Sequence, residues 1–259
     1  MHGLQEHARA WDFVAQELAR SGRRVLALDW RGHGDSGRIG AGGYYHFPDY
    51  VADLALLVRN LGGRAILVGH SMGGSVAVLY AGAEPERVRA LASLEGLGPP
   101  DSSFDAAPER FAGWIGDLER SAVRAPRSLT LDEAAARLAE RFPLWSPAVA
   151  RHMALHGTRP RDGSPDAREW KFDPLHQTRS PQPYYVAQAR AFWARVRCPV
   201  LYVDGDRSFI TAAPLEIDAR AAALRAERRT IAGAGHHPHL ERPAETARIL
   251  REFLDRVGA

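Results

Sequence analysis

The feature that most constrains this 259-residue chain is an apolar run that passes through a glycine-flanked serine into a second apolar run. The first run, RAILVGH (64–70), has the length and composition of a buried strand, and GSVAVLYAG (74–82) has those of a helix packed closely on a sheet. Between them, GHSMG (69–73) fits G-x-S-x-G in the strand–turn–helix context that lifts a serine out of a sheet. The pattern predicts a nucleophilic Ser71 at a sharp turn, with the Met72 N–H directed at a developing oxyanion.

Short apolar segments alternate with amphipathic helices over the first hundred residues and again over the last seventy. The predicted strands are RRVLALDW (23–30), RAILVGH (64–70), VRALASL (88–94), CPVLYVDG (198–205) and RRTIAGAG (228–235). Because strands separated by helices pair in parallel, the pattern predicts an α/β fold with a mostly parallel sheet between helices.

The middle of the chain shows helix signals and hardly any strand. Thr130 and Glu133 form the pattern of a capping box, Ser146-Pro147 begins another helix, and GTRPRDGSPDAREW (157–170) is interpreted as loop. We therefore predict a helical insertion at 99–189 between two parts of one core, 1–98 and 190–259.

Composition excludes several classes of protein. Basic and acidic residues, 34 and 31 of them, are scattered, and no basic stripe with interleaved aromatic residues indicates nucleic-acid binding. The single cysteine, Cys198, excludes an internal disulfide and suits a reducing compartment. No stretch has the length of a membrane span and the N-terminus lacks a signal-peptide core, so we expect a cytoplasmic protein without membrane association.

A candidate base follows the last predicted strand. His236 stands in AGAGHHPHLERP (232–243), after Gly235 and before the final helix, where a base paired with Ser71 is expected. A metal cluster of these histidines and Glu241 is disfavoured, because Pro238 interrupts helical spacing and no second cluster supplies ligands. GHGDSG (32–37) satisfies G-x-G-x-x-G, but no helix begins there, which excludes a dinucleotide site. We predict no metal and no cofactor.

Four segments together resemble the α/β-hydrolase superfamily, in order and at typical separations. They are HGL (2–4), DWRGHGDSG (29–37), GHSMGG (69–74) and GHHPHLERP (235–243). The details are similar to its serine-hydrolase-like and haloalkane-dehalogenase-like branches. The resemblance implies that the Leu4 N–H is a second oxyanion donor beside Met72, and that the middle segment is a helical cap. It also implies three strands ahead of HGL, so we expect that the true start lies upstream of Met1.

The acid of the predicted triad is not at the position that most members of this superfamily use. That position lies three residues after the glycine that ends LYVDG (201–205), and Ser208 stands there. Dehalogenase-like members place the acid at the end of the strand that follows the nucleophile helix, where Glu95 stands. We predict that Glu95 orients His236. Asp206 is the alternative acid, and a structural Glu95 bonded to backbone N–H groups remains open.

The predicted function is hydrolysis of a small-molecule acyl substrate (a carboxylic ester, thioester or lactone) through an acyl-enzyme. An acyltransferase and a C–C bond hydrolase on the same triad are alternatives, and a ligand-binding receptor or inactive homologue is the alternative from another class. Trp114, Trp145 and Trp170 in the cap are candidate pocket residues, although the same rings are typical of residues that hold a cap together. The oligomeric state is not predicted.

Overall fold

The computed structural model describes residues 1–123, 128–161, 164–210 and 213–258. Over these ranges the strands form a four-stranded parallel sheet of order β1-β2-β5-β6 and an antiparallel hairpin of β3 and β4. The strands are β1 (Ala65–His70), β2 (Val88–Leu94), β3 (Thr158–Arg161), β4 (Ser164–Trp170), β5 (Val200–Gly205) and β6 (Glu227–Ile231). The prediction of a mostly parallel sheet between helices is confirmed.

Helices cover both faces of the parallel sheet. They are α1 (Asp12–Arg20), α2 (Phe47–Asn60), α3 (Met72–Ala83), α4 (Ala107–Ala122), α5 (Leu131–Arg141), α6 (Pro147–Gly157), α7 (Val186–Trp193), α8 (Pro214–Ala223), α9 (Pro238–Glu241) and α10 (Pro243–Arg256). The inner faces of α2, α3, α7 and α8 form one apolar core with the sheet, and those of α1 and α10 form a second. Among the described residues, no helix is both long and apolar enough to cross a membrane.

Alternation along the central strands explains the two cores. In β5, Val200 and Tyr202 face one core, whereas Leu201 and Val203 face the other. Successive side chains of a strand point to opposite faces, so a strand covered on both sides is apolar throughout. The parallel pairing also brings the carboxyl ends of β1, β2 and β5 to one edge of the sheet, and the candidate site lies at that edge.

The predicted strand RRVLALDW (23–30) is wrong, because these residues have no strand assignment and Leu26 is exposed. They line one side of a groove of about 330 Å³, and β1 residues such as Ile66 and Val68 line the other. A strand requires a neighbour for its backbone N–H and C=O groups, and apolar composition does not supply one. Only Met1 reaches the β1 backbone among the described residues before α1, through Val68 O at 2.8 Å and the His70 N–H at 3.0 Å.

The region predicted as an insertion contains helices α4 to α6, as expected, and the capping box of Thr130 and Glu133 is present. Helix α6 begins at Pro147, as predicted. Interpreting 157–170 as loop is wrong for 158–161 and 164–170, which form the antiparallel strands β3 and β4, while residues 162 and 163 lie outside the described residues. The proposed boundary at 189/190 falls inside α7, which packs on α3, and Ala189 and Trp193 belong to the same core as the sheet.

Candidate active site

Ser71 lies in a strained turn between β1 and α3. Its φ of 49° is a left-handed value that a serine adopts only under constraint from its surroundings. A side chain on Gly69 would come within 2.5 Å of the Gly73 backbone, and one on Gly73 would come within 2.6 Å of His2 O. The Ser71 N–H donates to Leu94 O at 2.8 Å, which ties the turn to β2. The glycines therefore allow the close backbone packing that holds the serine at the edge of the sheet.

His236 lies in the loop between β6 and α9, and its ring contacts Ser71. The distance from His236 Nε2 to Ser71 Oγ is 3.1 Å, and the distance from His236 Nδ1 to Glu95 Oε2 is also 3.1 Å. A carboxylate only accepts hydrogen bonds, so this arrangement places the proton of the neutral ring on Nδ1 and leaves the Nε2 lone pair facing the serine.

Glu95 follows the last residue of β2, and its side chain is fully buried. Its Oε1 accepts from the Gly205 N–H at 2.7 Å, and its Oε2 accepts from the Ser208 hydroxyl at 2.6 Å. Its φ of 56° turns the chain away from the sheet at this residue. With His236, these donors satisfy a carboxylate that would otherwise be costly to bury.

Ser208 is a site residue whose part the sequence analysis missed. It occupies the position at which most relatives were expected to carry the acid, and there it donates to the Glu95 carboxylate. The signal was available, since a serine is small enough to leave room for Glu95 and supplies a hydroxyl donor.

The alternative acid, Asp206, is not brought to His236. It is exposed, and its Oδ1 accepts from the Gly233 N–H at 2.7 Å. One residue beyond the end of β5, its side chain binds the turn after β6, whereas Glu95 reaches the histidine ring. The geometry therefore favours Glu95 over Asp206.

The two expected oxyanion donors belong to segments that meet beside Ser71. Met72 is the first residue of α3, so its N–H is among those without an acceptor inside the helix. Leu4 lies in the loop before α1, where the Gly3 N–H is held by Glu6 Oε2 at 2.9 Å. Both residues line the same cavity as Ser71.

That cavity has a volume of about 510 Å³ and extends from Ser71 and His236 to Leu175 and Ser180, in the segment before α7. Its aromatic and aliphatic wall comes from several separate segments: Tyr44, Tyr45, Phe47, Tyr50, Leu175 and Phe209. The sequence analysis assigned no role to GGYYHF (42–47), although its run of aromatic residues was a usable signal.

The predicted pocket residues Trp114, Trp145 and Trp170 are not among the residues that line this cavity. Trp145 stacks on Phe142 with ring centroids 4.4 Å apart, and Trp170 stacks on Phe172. Trp114 reaches the cavity only indirectly, through an edge contact with Tyr44 at 5.5 Å. These rings pack against other aromatic side chains. This agrees with the alternative interpretation of the sequence, in which they hold their segment together rather than line a pocket.

Phenol hydroxyls tie the cavity wall to the segment before α7. Tyr45 donates to Asp173 Oδ2 at 2.8 Å, and the Tyr50 hydroxyl lies 2.8 Å from His176 Nε2. Burial raises the pKa of Tyr45 to about 12 and lowers the pKa of His176 to about 4. At neutral pH the side chains of Tyr45 and His176 are therefore both uncharged.

Two groups of side chains in the described residues have the spacing of metal ligands. Glu6, His70 and His239 are buried and place one donor atom each within 4.8 Å of the others, and Asp12, His152 and His156 do so near the surface. Neither group contains Ser71, His236 or Glu95, so the predicted chemistry does not pass through them.

Comparison with known proteins identifies the family. Residues 1–243 match the family described as alpha/beta hydrolase fold. The chain is 31% identical over 260 aligned positions to 2-(acetamidomethylene)succinate hydrolase of Mesorhizobium japonicum, covering 98% of this chain and 86% of that protein.

Solved structures agree with this match. A hypothetical protein of Pseudomonas aeruginosa PAO1 superposes with a TM-score of 0.87 at 32% identity, covering 98% of this chain and 89% of that one. The thioesterase domain from the curacin biosynthetic pathway superposes with a TM-score of 0.81 at 26% identity, covering 96% and 88%. The chain spans about half the length, or less, of the first curated relatives that it matches. With a family match over most of its residues and a relative aligned over nearly all of them, the chain belongs to the α/β-hydrolase fold family.

Proposed function

We propose that the protein is a serine hydrolase that cleaves an acyl substrate, a carboxylic ester, thioester or lactone, through an acyl-enzyme on Ser71. The observation that carries the proposal is the continuous contact from Ser71 Oγ through the His236 ring to Glu95, with both distances 3.1 Å. This contact lies at the wall of a cavity large enough for a small-molecule substrate.

In the first half of the reaction, His236 Nε2 takes the Ser71 proton as Oγ attacks the acyl carbon. The imidazolium that forms is stabilised by the carboxylate of Glu95, which accepts from His236 Nδ1. The carbonyl oxygen becomes an oxyanion, for which the N–H groups of Met72 and Leu4 are the proposed donors. His236 then returns the proton to the departing alcohol or thiol, and the acyl group stays on Ser71.

In the second half, water enters where the leaving group was. His236 takes a proton from this water, which attacks the acyl carbon, and the same donors hold the oxyanion. Collapse breaks the bond to Ser71 Oγ, which recovers its proton from His236, and the carboxylic acid departs. The residues return to their starting state, so the cycle needs no further group from the protein.

The cavity supports an uncharged, apolar acyl group. Among the described lining residues, Arg220 is the basic one, and its Nη1 donates to the carbonyls of Leu97, Gly98 and Pro99 at 2.8–3.0 Å. Its Nη2 pairs with Glu216. Because both terminal nitrogens of this guanidinium are engaged, we propose that the protein favours apolar acyl esters over a succinate derivative of the kind named for its Mesorhizobium relative.

Covalent labelling with a fluorophosphonate tests the proposal. The native protein should gain one adduct and lose hydrolysis of short p-nitrophenyl esters, whereas Ser71→Ala should show neither adduct nor turnover. The matched control is Ser75→Ala, one helical turn away in the same cavity, which should still be labelled. Ester hydrolysis by purified Ser71→Ala at the native rate would exclude the serine mechanism. A folded native protein that is neither labelled nor active would favour the ligand-binding receptor.

A further inference from the structure

A cluster of titratable side chains that the proposed reaction does not use lies behind His236. It consists of Glu6, His70, His237, His239 and Glu241, referred to here as the Glu6 cluster. The side chains of its members are each at most 8% exposed. Buried ionisable groups are costly unless they are paired, so their arrangement calls for a structural or functional reason.

Glu6 is the centre of this cluster. Its Oε1 lies 2.9 Å from His70 Nδ1 and 3.3 Å from His237 Nε2, and its Oε2 accepts from the Gly3 N–H at 2.9 Å. A side chain on Gly3 would come within 2.8 Å of the His70 ring, so the glycine packs directly on the pair. Glu6 therefore joins the loop that carries Leu4 to the last residue of β1.

His70 continues the connection toward the proposed base. Its Nε2 lies 2.6 Å from the carbonyl oxygen of His236, and a carbonyl only accepts hydrogen bonds. The other ring nitrogen faces a carboxylate, so a proton on each nitrogen suits both neighbours. The resulting ion pair links Glu6 to the backbone of His236.

The charges around the pair agree with this assignment. Burial alone would lower the pKa of His70, but Glu6 raises it above its usual value; burial alone would raise the pKa of Glu6, but His70 and His237 lower it. Burial lowers the pKa of His237 to about 4 and that of His239 well below its usual value. Of these three histidines, His70 is therefore the one whose surroundings favour the charged form.

We propose that Glu6 is a positioning residue of the hydrolase. Together with His70, it holds the Leu4 N–H and the His236 backbone in fixed positions relative to each other. This inference rests on the proposed function. It explains why a histidine stands between Gly69 and Ser71. His70 directly precedes the nucleophile and contacts the loop that carries the base, His236. Loss of the pair should leave the cavity intact while misplacing two groups that act in the transition state.

The test compares Glu6→Ala with Glu6→Gln on one p-nitrophenyl ester. Loss of one oxyanion donor alone typically costs about 10²-fold or more in kcat, so we expect Glu6→Ala to lose about 100-fold in kcat. Its KM should stay within about threefold, since the groups affected bind the transition state rather than the substrate. Gln is isosteric and can still accept from Gly3 and contact His70 Nδ1, so Glu6→Gln should recover kcat to within about tenfold of native.

Asp29→Asn is the matched control. Asp29 anchors the far end of the same loop through the Ala8 N–H at 2.6 Å and the Asp35 N–H at 2.9 Å. We expect a lower melting temperature and kcat within about threefold of native. If Glu6→Ala fails to fold, His70→Asn is the deciding variant. The asparagine amide nitrogen can keep the contact with Glu6, but the side chain no longer reaches the His236 carbonyl. We expect kcat of His70→Asn to fall at least about tenfold.

The outcomes separate this inference from the proposed function. If Ser71→Ala loses activity while Glu6→Ala and His70→Asn both stay within threefold of native kcat, the positioning role is wrong and the hydrolase proposal stands. If Ser71→Ala stays active, the hydrolase proposal itself fails. Finding stoichiometric zinc in the purified native protein, and its loss in His239→Ala, would also contradict the ion pair. A metal ion would then stand between Glu6 and His70 in place of the proton on His70 Nδ1.

Discussion

The edge of the sheet and the cavity wall above it are built in different ways. At the edge, Ser71, Glu95 and His236 follow β1, β2 and β6 closely, so backbone geometry places each side chain. The cavity wall is assembled from side chains in three separate parts of the chain, which come together only through tertiary packing: residues of 44–50, residues of 175–180, and Phe209, Ile210, Ala213, Glu216, Ile217 and Arg220. The difference indicates that the reaction and the choice of substrate are encoded separately, and substitutions should separate them.

The largest effect after loss of the serine is expected at the sheet edge, from Glu95→Gln. An amide in place of a triad acid can favour the wrong histidine tautomer and lower kcat by about 10⁴-fold. Asp206→Asn is the matched carboxylate-to-amide change one strand away and should stay within about threefold, since Asp206 binds the Gly233 N–H. Steady-state kinetics on one ester decide between them. A large loss of kcat in Asp206→Asn, together with near-native kcat in Glu95→Gln, would identify Asp206 as the acid of the triad.

A smaller effect, on selectivity rather than chemistry, is expected from the cavity wall. Phe47→Trp places a bulkier side chain in the cavity wall, which reduces the cavity volume, and should lower kcat/KM for octanoyl esters about tenfold while leaving acetyl esters within threefold. Trp145→Phe, a change in an aromatic residue outside this cavity, should lower the melting temperature and leave the preference for chain length unchanged. Equal losses on acetyl and octanoyl esters in Phe47→Trp would show that the wall and the reaction are coupled.

The same contrast explains what could be predicted from the sequence. Ser71 and His236 were predictable because a strand, a glycine turn and a helix fix where such residues point, and Glu95 because dehalogenase-like relatives place the acid after the same strand. No strand forms at 23–30, where one was predicted, since pairing depends on a neighbour and not on apolar composition. The pair of strands β3 and β4 was missed because both strands are mostly polar and carry proline.

The cavity was predicted least well, for a physical reason. Trp145 and Trp170 were as suitable in type as Tyr45 and Phe47, and only packing decides which rings face the cavity. Ser208 differs from these rings, because its small hydroxyl side chain was a usable signal, although only the structure shows that the hydroxyl donates to Glu95 at 2.6 Å.

The most direct test of the central claim, that Ser71 carries the acyl group, is peptide mass analysis of the protein quenched during turnover of a slow p-nitrophenyl ester. The proposed mechanism predicts a burst of p-nitrophenol equal to the concentration of active sites, with the acyl mass on the peptide that contains Ser71. Continued turnover with Ser71 unmodified and no burst, or an acyl group on a different residue that accounts for turnover, would contradict it.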